Sequence, residues 1–581
     1  MRTVAHLLGT ALAGTTLLFA GQPVRSTGDW SMEVTQLTRG PLHHFFGYIG
    51  HVRTIPWSGD GRYVLALRTS FQDRMPEPGE PADIVLIDTR QDNLVVKVEQ
   101  SRGWNFQQGT MFYWNPEAPE TQFFFNDRDP VTGKLFTVLY DITTRTRVRE
   151  FRFDDTPVAN GGVAQNGGRF LALNYGRMAR LRPVTGYPGA FDYTGEALHP
   201  ADDGVHVVDV KTGTKRLLVS FAQLADLVRT VRPDVVRKAL FVNHSLWNRD
   251  DDRVYFYVRG EFDDSAERID IPCTIKADGT GLTMLDHVGG HPEWESGSRM
   301  IGVKDDRQVI YDVATKTVVG TIGAPEVFPQ PGGDIALSPD ARWFVNGHSD
   351  GGFNQYTVLR LADGTWGRTP PMSRGAYRSG NLRIDGAPAW NRTSDAIAFP
   401  SIDPSDGTRQ TFVMRVRPTP PADTPLAPSL AGLGSVHHPV TTTNADAQRF
   451  FDQGLRLLYG FNHPESLRAF QEAARLDPSL AMAYWGQAMA LSPNLNVPMT
   501  PENGRVAFAA IGKARTLARQ AAPVERALIE ALATRLAADG AGDAAAHGRA
   551  YADAMTRVAA SHSSAPDVQT LLADALLNTM P

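Results

Sequence analysis

Residues 57–67 read WSGDGRYVLAL, and the same arrangement returns at residues 247–257 as WNRDDDRVYFY. An aromatic is followed by Ser or Asn, then a turn, then a run rich in β-branched and aromatic residues. Five further copies fit the pattern once an apolar residue may replace the aromatic and another residue the Ser or Asn: residues 114–125 (WNPEAPETQFFF), 164–173 (AQNGGRFLAL), 294–303 (WESGSRMIGV), 337–346 (LSPDARWFVN) and 390–399 (WNRTSDAIAF). Their first residues lie 57, 50, 83, 47, 43 and 53 positions apart. Self-similarity at such a period marks a repeat architecture. Most copies are followed by a second strand-like run ending in Asp or a polar turn, as in IVLIDT, VHVVDVKTG and QVIYDVATK. The reading is one four-stranded antiparallel sheet per copy, joined by tight D-G or P-D hairpins. A lone sheet of this kind cannot bury both faces, whereas copies stacked around an axis can. Residues 35–418 therefore read as an all-β seven-bladed propeller. Two packed β-sandwiches are the weaker alternative, because they do not require the regular recurrence. The 83-position gap holds an insertion around residues 183–200 and a helical stretch at 221–240. Residues 33–37 offer a strand that would close the ring by mixing the two ends of the domain.

The chain changes character after residue 418. At 581 residues it is too long for one core. Residues 419–440 are rich in Pro, Ala and Gly and read as a linker. From 441 to 581 the strand pattern gives way to Ala, Leu, Arg and Glu at helical spacing. Residues 450–486 (FFDQGLRLLYGFNHPESLRAFQEAARLDPSLAMAYWG) carry the tetratricopeptide arrangement. Gly454, Leu455 and Tyr459 fall on a first helix, and Ala469, Phe470 and Ala473 on a second. Further helices are expected near residues 504–520, 523–538, 544–561 and 565–580. The last lacks a polar capping helix, so the array is expected to continue beyond residue 581. An irregular helical bundle is the alternative. Helical repeats of this type bind peptides or mediate assembly, which makes a protein or peptide the expected partner of this region.

The N-terminus has one positive residue, Arg2, an uncharged apolar run at residues 7–20 and small residues at Ala20 and Gly21. Its apolar run is too short to span a bilayer, so residues 1–21 read as a secretory signal. The expected location is periplasmic or extracellular, with no transmembrane segment after signal removal. Lys and Arg (58) nearly balance Asp and Glu (63), which argues against a nucleic-acid partner. One cysteine, Cys273, excludes an intramolecular disulfide framework. There is no P-loop, no G-x-S-x-G, no H-E-x-x-H and no dinucleotide fingerprint after a strand.

Candidate chemistry comes from the repeat register. The strand entering each repeat tryptophan is innermost in a propeller. Three residues before that position stand His244, His291 and Asp334 in three successive copies, and His348 follows the third. Two or three imidazoles and a carboxylate suit a divalent cation such as manganese, zinc or calcium. They equally suit acid–base work or a polar channel that holds water. A second cluster, residues 174–187 (NYGRMARLRPVTGY), offers Arg177, Arg180 and Arg182 for carboxylates or sulfates and Tyr175 and Tyr187 for a sugar face. Surface ion pairing is the plainer account. A third group joins His43, His44 and Tyr48 with Gln107, Gln108 and Asn126. Its aromatic and amide composition is that of a carbohydrate-binding surface or of blade packing.

Together HHFFGY, PWSGDGRYVLAL, WNFQQG, FFFNDR, NYGRMARLRPVTGY and NHSLWN resemble exported bacterial propellers of the oligogalacturonate lyase and ulvan lyase kind, which are TolB- and WD40-like. The resemblance covers most of residues 40–400. It implies an acidic oligo- or polysaccharide bound on a propeller face and cleaved by β-elimination. His244 and His291 match channel histidines of the first kind, and Tyr175 and Arg182 the tyrosine and arginine region of the second. By resemblance, His244, Tyr175 and Arg182 are the expected catalytic residues. The sequence departs from those relatives at IGHVRTIPW, where they carry an acidic residue, and at Asp334, where a histidine is expected. The alternative is a non-catalytic interaction scaffold in a cell-envelope assembly. The C-terminal part resembles exported bacterial tetratricopeptide proteins, which implies a fold but no reaction.

Overall fold

The computed structural model describes residues 24–47, 54–286, 288–419, 425–494, 499, 501–537 and 543–579. The expected signal, 1–21, and Tyr48 lie outside them. The chain divides after Thr419 into two compact units.

Two devices in the sequence build the first unit. The Ser or Asn after four of the repeat positions ties its turn together. Ser58 Oγ, Asn248 Oδ1, Ser338 Oγ and Asn391 Oδ1 each accept the backbone N–H five residues on, at 3.0–3.1 Å. This fixes the hairpin that starts the next strand. The Asp that ends a later strand does the same for the following turn. Asp141, Asp209 and Asp312 accept backbone N–H groups two or three residues on, and Arg145, Gly213 and Lys316 take the left-handed conformation that completes the turn.

The resulting strands form antiparallel sheets stacked as a β-propeller. The tryptophans lock neighbours together: indole Nε1 of Trp114, Trp247, Trp294 and Trp390 donates to carbonyls of Pro56, Gly162, Leu246 and Ala336 in the preceding repeat. Each indole thus buries its apolar area between sheets while its one donor is satisfied. Among the described residues, five sheets of four or five strands stand separately, not the seven expected. The sixth has nine strands. In it, strands Gly289–Ser296 to Thr317–Thr321 and Asp334–Leu337 to Trp366–Arg368 are joined by one parallel bridge, His291 opposite Asp334. The reason the count differs is therefore local: two inner strands approach closely enough to bond at that point.

Strand Trp30–Gln36 pairs along its length with Arg409–Pro418, closing the ring by mixing both ends of the unit. Helices α1 (Tyr175–Leu181) and α2 (Phe221–Arg229) occupy the long gap between the third and fourth copies. Cys273 is buried in strand Ile269–Lys276, where burial pushes its thiol up to about 12.

The second unit is helical: α3 (Ala445–Tyr459), α4 (His463–Leu476), α5 (Ala481–Leu491), α6 (Pro501–Leu517), α7 (Pro523–Ala533), α8 (Ala544–Ser561) and α9 (Pro566–Leu577). Phe470 is fully buried between Gly454 and Gly486. A Cβ on either glycine would stand 2.7 or 2.4 Å from the phenyl ring. Among the described residues no helix is long and apolar enough to cross a membrane.

Candidate functional site

The inner strands bring the register residues together. His244 sits on strand Phe241–Trp247 at a bulge, with φ of 55°. A non-glycine residue there is strained, and its imidazole is turned beside that of His291, with ring centroids 4.9 Å apart. His291 Nδ1 pairs with Asp334 Oδ1. The other carboxylate oxygen, Oδ2, accepts the N–H of Ala387 at 2.8 Å. A carboxylate on Nδ1 places the ring proton there and leaves Nε2 as the basic nitrogen.

His291 and Asp334 line an open cavity of about 400 Å³ with His348, Gln330, Arg383 and Asp385. Arg383 Nε donates to Asp385 Oδ1 at 3.0 Å, and Gln107 Nε2 donates to Asp385 Oδ2 at 2.6 Å. Burial and the neighbouring Asp334 carboxylate hold the Asp385 carboxyl above its ordinary range. Burial and Arg368 hold the His348 imidazole below its own. Gln108 Nε2 donates to Asn243 Oδ1, the residue before His244, at 3.2 Å. The loop carrying both glutamines therefore reaches two sides of this region. Arg182 stacks 3.9 Å over Phe262. Burial, Arg259 and Arg383 bring its guanidinium down to about 9.

Other candidates are placed elsewhere. Tyr175 and Tyr187 are fully buried and stacked on each other, centroids 4.5 Å apart. The Tyr175 hydroxyl donates to the Asn160 carbonyl, and burial raises its pKa well above the ordinary value. It packs the interior and reaches no open cavity. Asn126 is buried and donates to the Asn160 carbonyl and the Tyr187 hydroxyl. Arg177 is fully buried, satisfied by the carbonyls of Leu240, Ala197 and Leu198 and by Thr194. Arg180 pairs with Asp192. His43 accepts the Arg409 N–H, and His44 meets Gln410, with burial taking His44 down to about 4.

The proposed metal set is not assembled. Among the described residues, no group of three His, Cys, Asp or Glu side chains is placed to hold an ion. The reason is visible at its centre: the His291 nitrogen and the Asp334 oxygen nearest each other bond to each other rather than face a shared cation. Arg383 and Asp385 were not found from sequence. They lie just upstream of Trp390, outside the three-residue register. The Asp-Gly dipeptide at residues 385–386 is the one signal there.

No family model and no curated protein matches this chain. Solved structures resemble it distantly. An oligogalacturonate lyase in complex with manganese is 16% identical over 69% of this chain and 96% of that one, with a TM-score of 0.47. TolB from Acinetobacter baumannii is 11% identical over 62% and 82%, with a TM-score of 0.31. A β-propeller domain from Myceliophteria thermophila is 11% identical over 65% and 99%, with a TM-score of 0.36.

Proposed function

We propose that this is an exported seven-bladed propeller whose cavity binds an acidic saccharide and cleaves it by β-elimination. The nine-stranded sheet counts as two blades pinched together at the His291–Asp334 bridge. The observation that carries the functional reading is the His291–Asp334 pair opening on the same cavity as Arg383. In the reaction, His291 Nε2 takes the proton α to a uronate carboxylate. That C–H electron pair becomes the new double bond, the β C–O bond breaks with its pair leaving on oxygen, and water protonates the departing oxygen. Asp334 steadies the imidazolium that forms, and Arg383 faces the substrate carboxylate. Tyr175 has no part in this scheme, because it is buried away from the cavity.

The test is incubation of the purified protein with uronate polysaccharides, following unsaturated product in the ultraviolet. Product from the wild type and none from His291→Ala supports the reading. No product from any uronate polymer, with or without added manganese, sinks the catalytic part. A second reading is a non-catalytic saccharide receptor. In either reading the helical unit, which we take to be tetratricopeptide-like, serves as the platform for a protein partner.

A further inference from the structure

Residues 382–387 (LRIDGA) carry two of the cavity residues, Arg383 and Asp385. After Leu382 the segment is neither helix nor strand. Side chains from elsewhere in the propeller pin its backbone instead. Gln72 donates to the Leu382 carbonyl at 3.3 Å and Tyr356 to that of Gly386 at 2.7 Å. Arg374 and Asn354 both donate to the Ile384 carbonyl, at 2.8 and 3.2 Å. Asp334 accepts the Ala387 N–H. These bonds take the place of a strand ladder and make a fixed wall of an irregular connection.

On that wall Arg383 Nε donates to Asp385 Oδ1 at 3.0 Å, and Nη1 donates to the Gly380 carbonyl at 3.1 Å. The planar guanidinium is thus fixed at two of its three nitrogens. Among the described residues Nη2 makes no hydrogen bond to protein, so it is the nitrogen left for a ligand. The Arg383 side chain is 27% exposed and that of Asp385 23%, so a ligand in the cavity can reach the pair. Asp385 is itself held. Gln107 Nε2 donates at 2.6 Å to Oδ2, the oxygen that Arg383 does not use. Gln107 in turn sits on a braced turn. Asn105 Oδ1 accepts the N–H groups of Gln107 and Gln108 at 3.0 and 2.7 Å, and Asn105 Nδ2 donates to the Gly186 carbonyl at 3.1 Å. Gly109 closes the turn with φ of 61°, so near Phe46 that a Cβ would stand 2.5 Å from its carbonyl oxygen.

We propose that Asp385 and Gln107 are positioning residues for Arg383. Gln107 holds Asp385, and Asp385 holds the guanidinium with Nη2 ready for one carboxylate oxygen of an acidic sugar. A loose arginine gives up rotamer freedom when it grips a ligand, and one already fixed does not. The charge of Asp385 opposes a uronate nearby, so its place in the cavity is accounted for by the orientation it gives Arg383. The inference rests on the acidic-saccharide reading and adds to it the relay that aims the cation.

The test is calorimetric titration of the full protein with oligogalacturonate. Asp385→Asn and Asp385→Ala remove the same charge, but only asparagine keeps both bonds. Its carbonyl oxygen accepts from Arg383, and its amide N–H meets the Gln107 amide turned over. Asp385→Asn should therefore bind at least fivefold more tightly than Asp385→Ala. Equal affinities would mean that Asp385 acts through its charge alone and would overturn the proposal. The second arm is a double-mutant cycle. Gln107→Ala should weaken binding at least threefold in the wild type and cause no further loss in Arg383→Ala. The same loss in both backgrounds overturns the relay, because Gln107 would then act independently of Arg383. This arm decides alone should Asp385→Ala fail to fold. A wild type that binds no oligogalacturonate is a different failure, which removes the acidic-saccharide reading and this inference with it. A wild type that binds, with either contrary result above, sinks the relay alone.

Discussion

Asp334 holds two partners at once, the His291 ring and the Ala387 N–H, and so ties three inner segments to one carboxylate. A residue placed this way orients an imidazole. Tyr175 is the contrasting case. Its buried hydroxyl bonds the Asn160 carbonyl and the Tyr187 hydroxyl, so Tyr175→Phe is expected to cost about 1–2 kcal/mol in denaturant unfolding and to leave saccharide binding unchanged. A loss of binding in that variant would return Tyr175 to the site. Glu293 is buried between repeats, with Oε2 accepting the Leu337 N–H at 2.6 Å and Arg249 3.7 Å away. Burial pushes its carboxyl up to about 8. An acid whose pKa is raised on folding favours the folded state while protonated. Its contribution is present below its unfolded pKa, near 4.5, and is lost as pH rises through about 8. Stability measured against pH should fall through that window, by at most about 1.4 kcal/mol per pH unit from this group. Glu293→Gln should flatten the slope, and an unchanged slope would place its origin elsewhere.

At the scale of elements, the repeat strands and helices were legible because local chemistry and global packing agree. Ser58, Asn248, Ser338 and Asn391 cap turns, and the indoles of Trp114, Trp247, Trp294 and Trp390 bond to the neighbouring sheet. The same register put His244, His291 and Asp334 on one side of the channel. It failed for residues 174–187, where an inserted helix folds back and buries Tyr175, Arg177 and Tyr187. Nothing in an aromatic and arginine-rich string distinguishes an interior plug from a binding face, since both need the same residue types. Arg383 and Asp385 were missed because the segment before Trp390 belongs to a connection, which carries no period. In the helical unit the sequence places Gly454 on a first helix and Phe470 on a second. The close approach lies at Gly454 and Gly486, either side of Phe470. Gly486→Ala should therefore overpack the ring and destabilise the helical unit by roughly 1–3 kcal/mol, read as a lowered melting transition. No change in the helical transition would mean that the ring has room to move.

For the whole molecule, the propeller is held closed by one strand, Trp30–Gln36, bonded to the last strand of the unit. Met32 is fully buried on that strand. Met32→Asp places an unpaired carboxylate there and should cost more than about 3 kcal/mol, exposing an unpaired edge that aggregates on mild heating. A variant as stable and monodisperse as the wild type would show that closure does not depend on this strand. The measurement that bears most directly on the central claim is calorimetric titration of the full protein with oligogalacturonate. The account predicts saturable binding to the wild type, weakened at least tenfold in Arg383→Ala and unaffected in the remote Arg180→Ala. Absence of binding, or equal affinity in the wild type and Arg383→Ala, would contradict an acidic-saccharide site in this cavity.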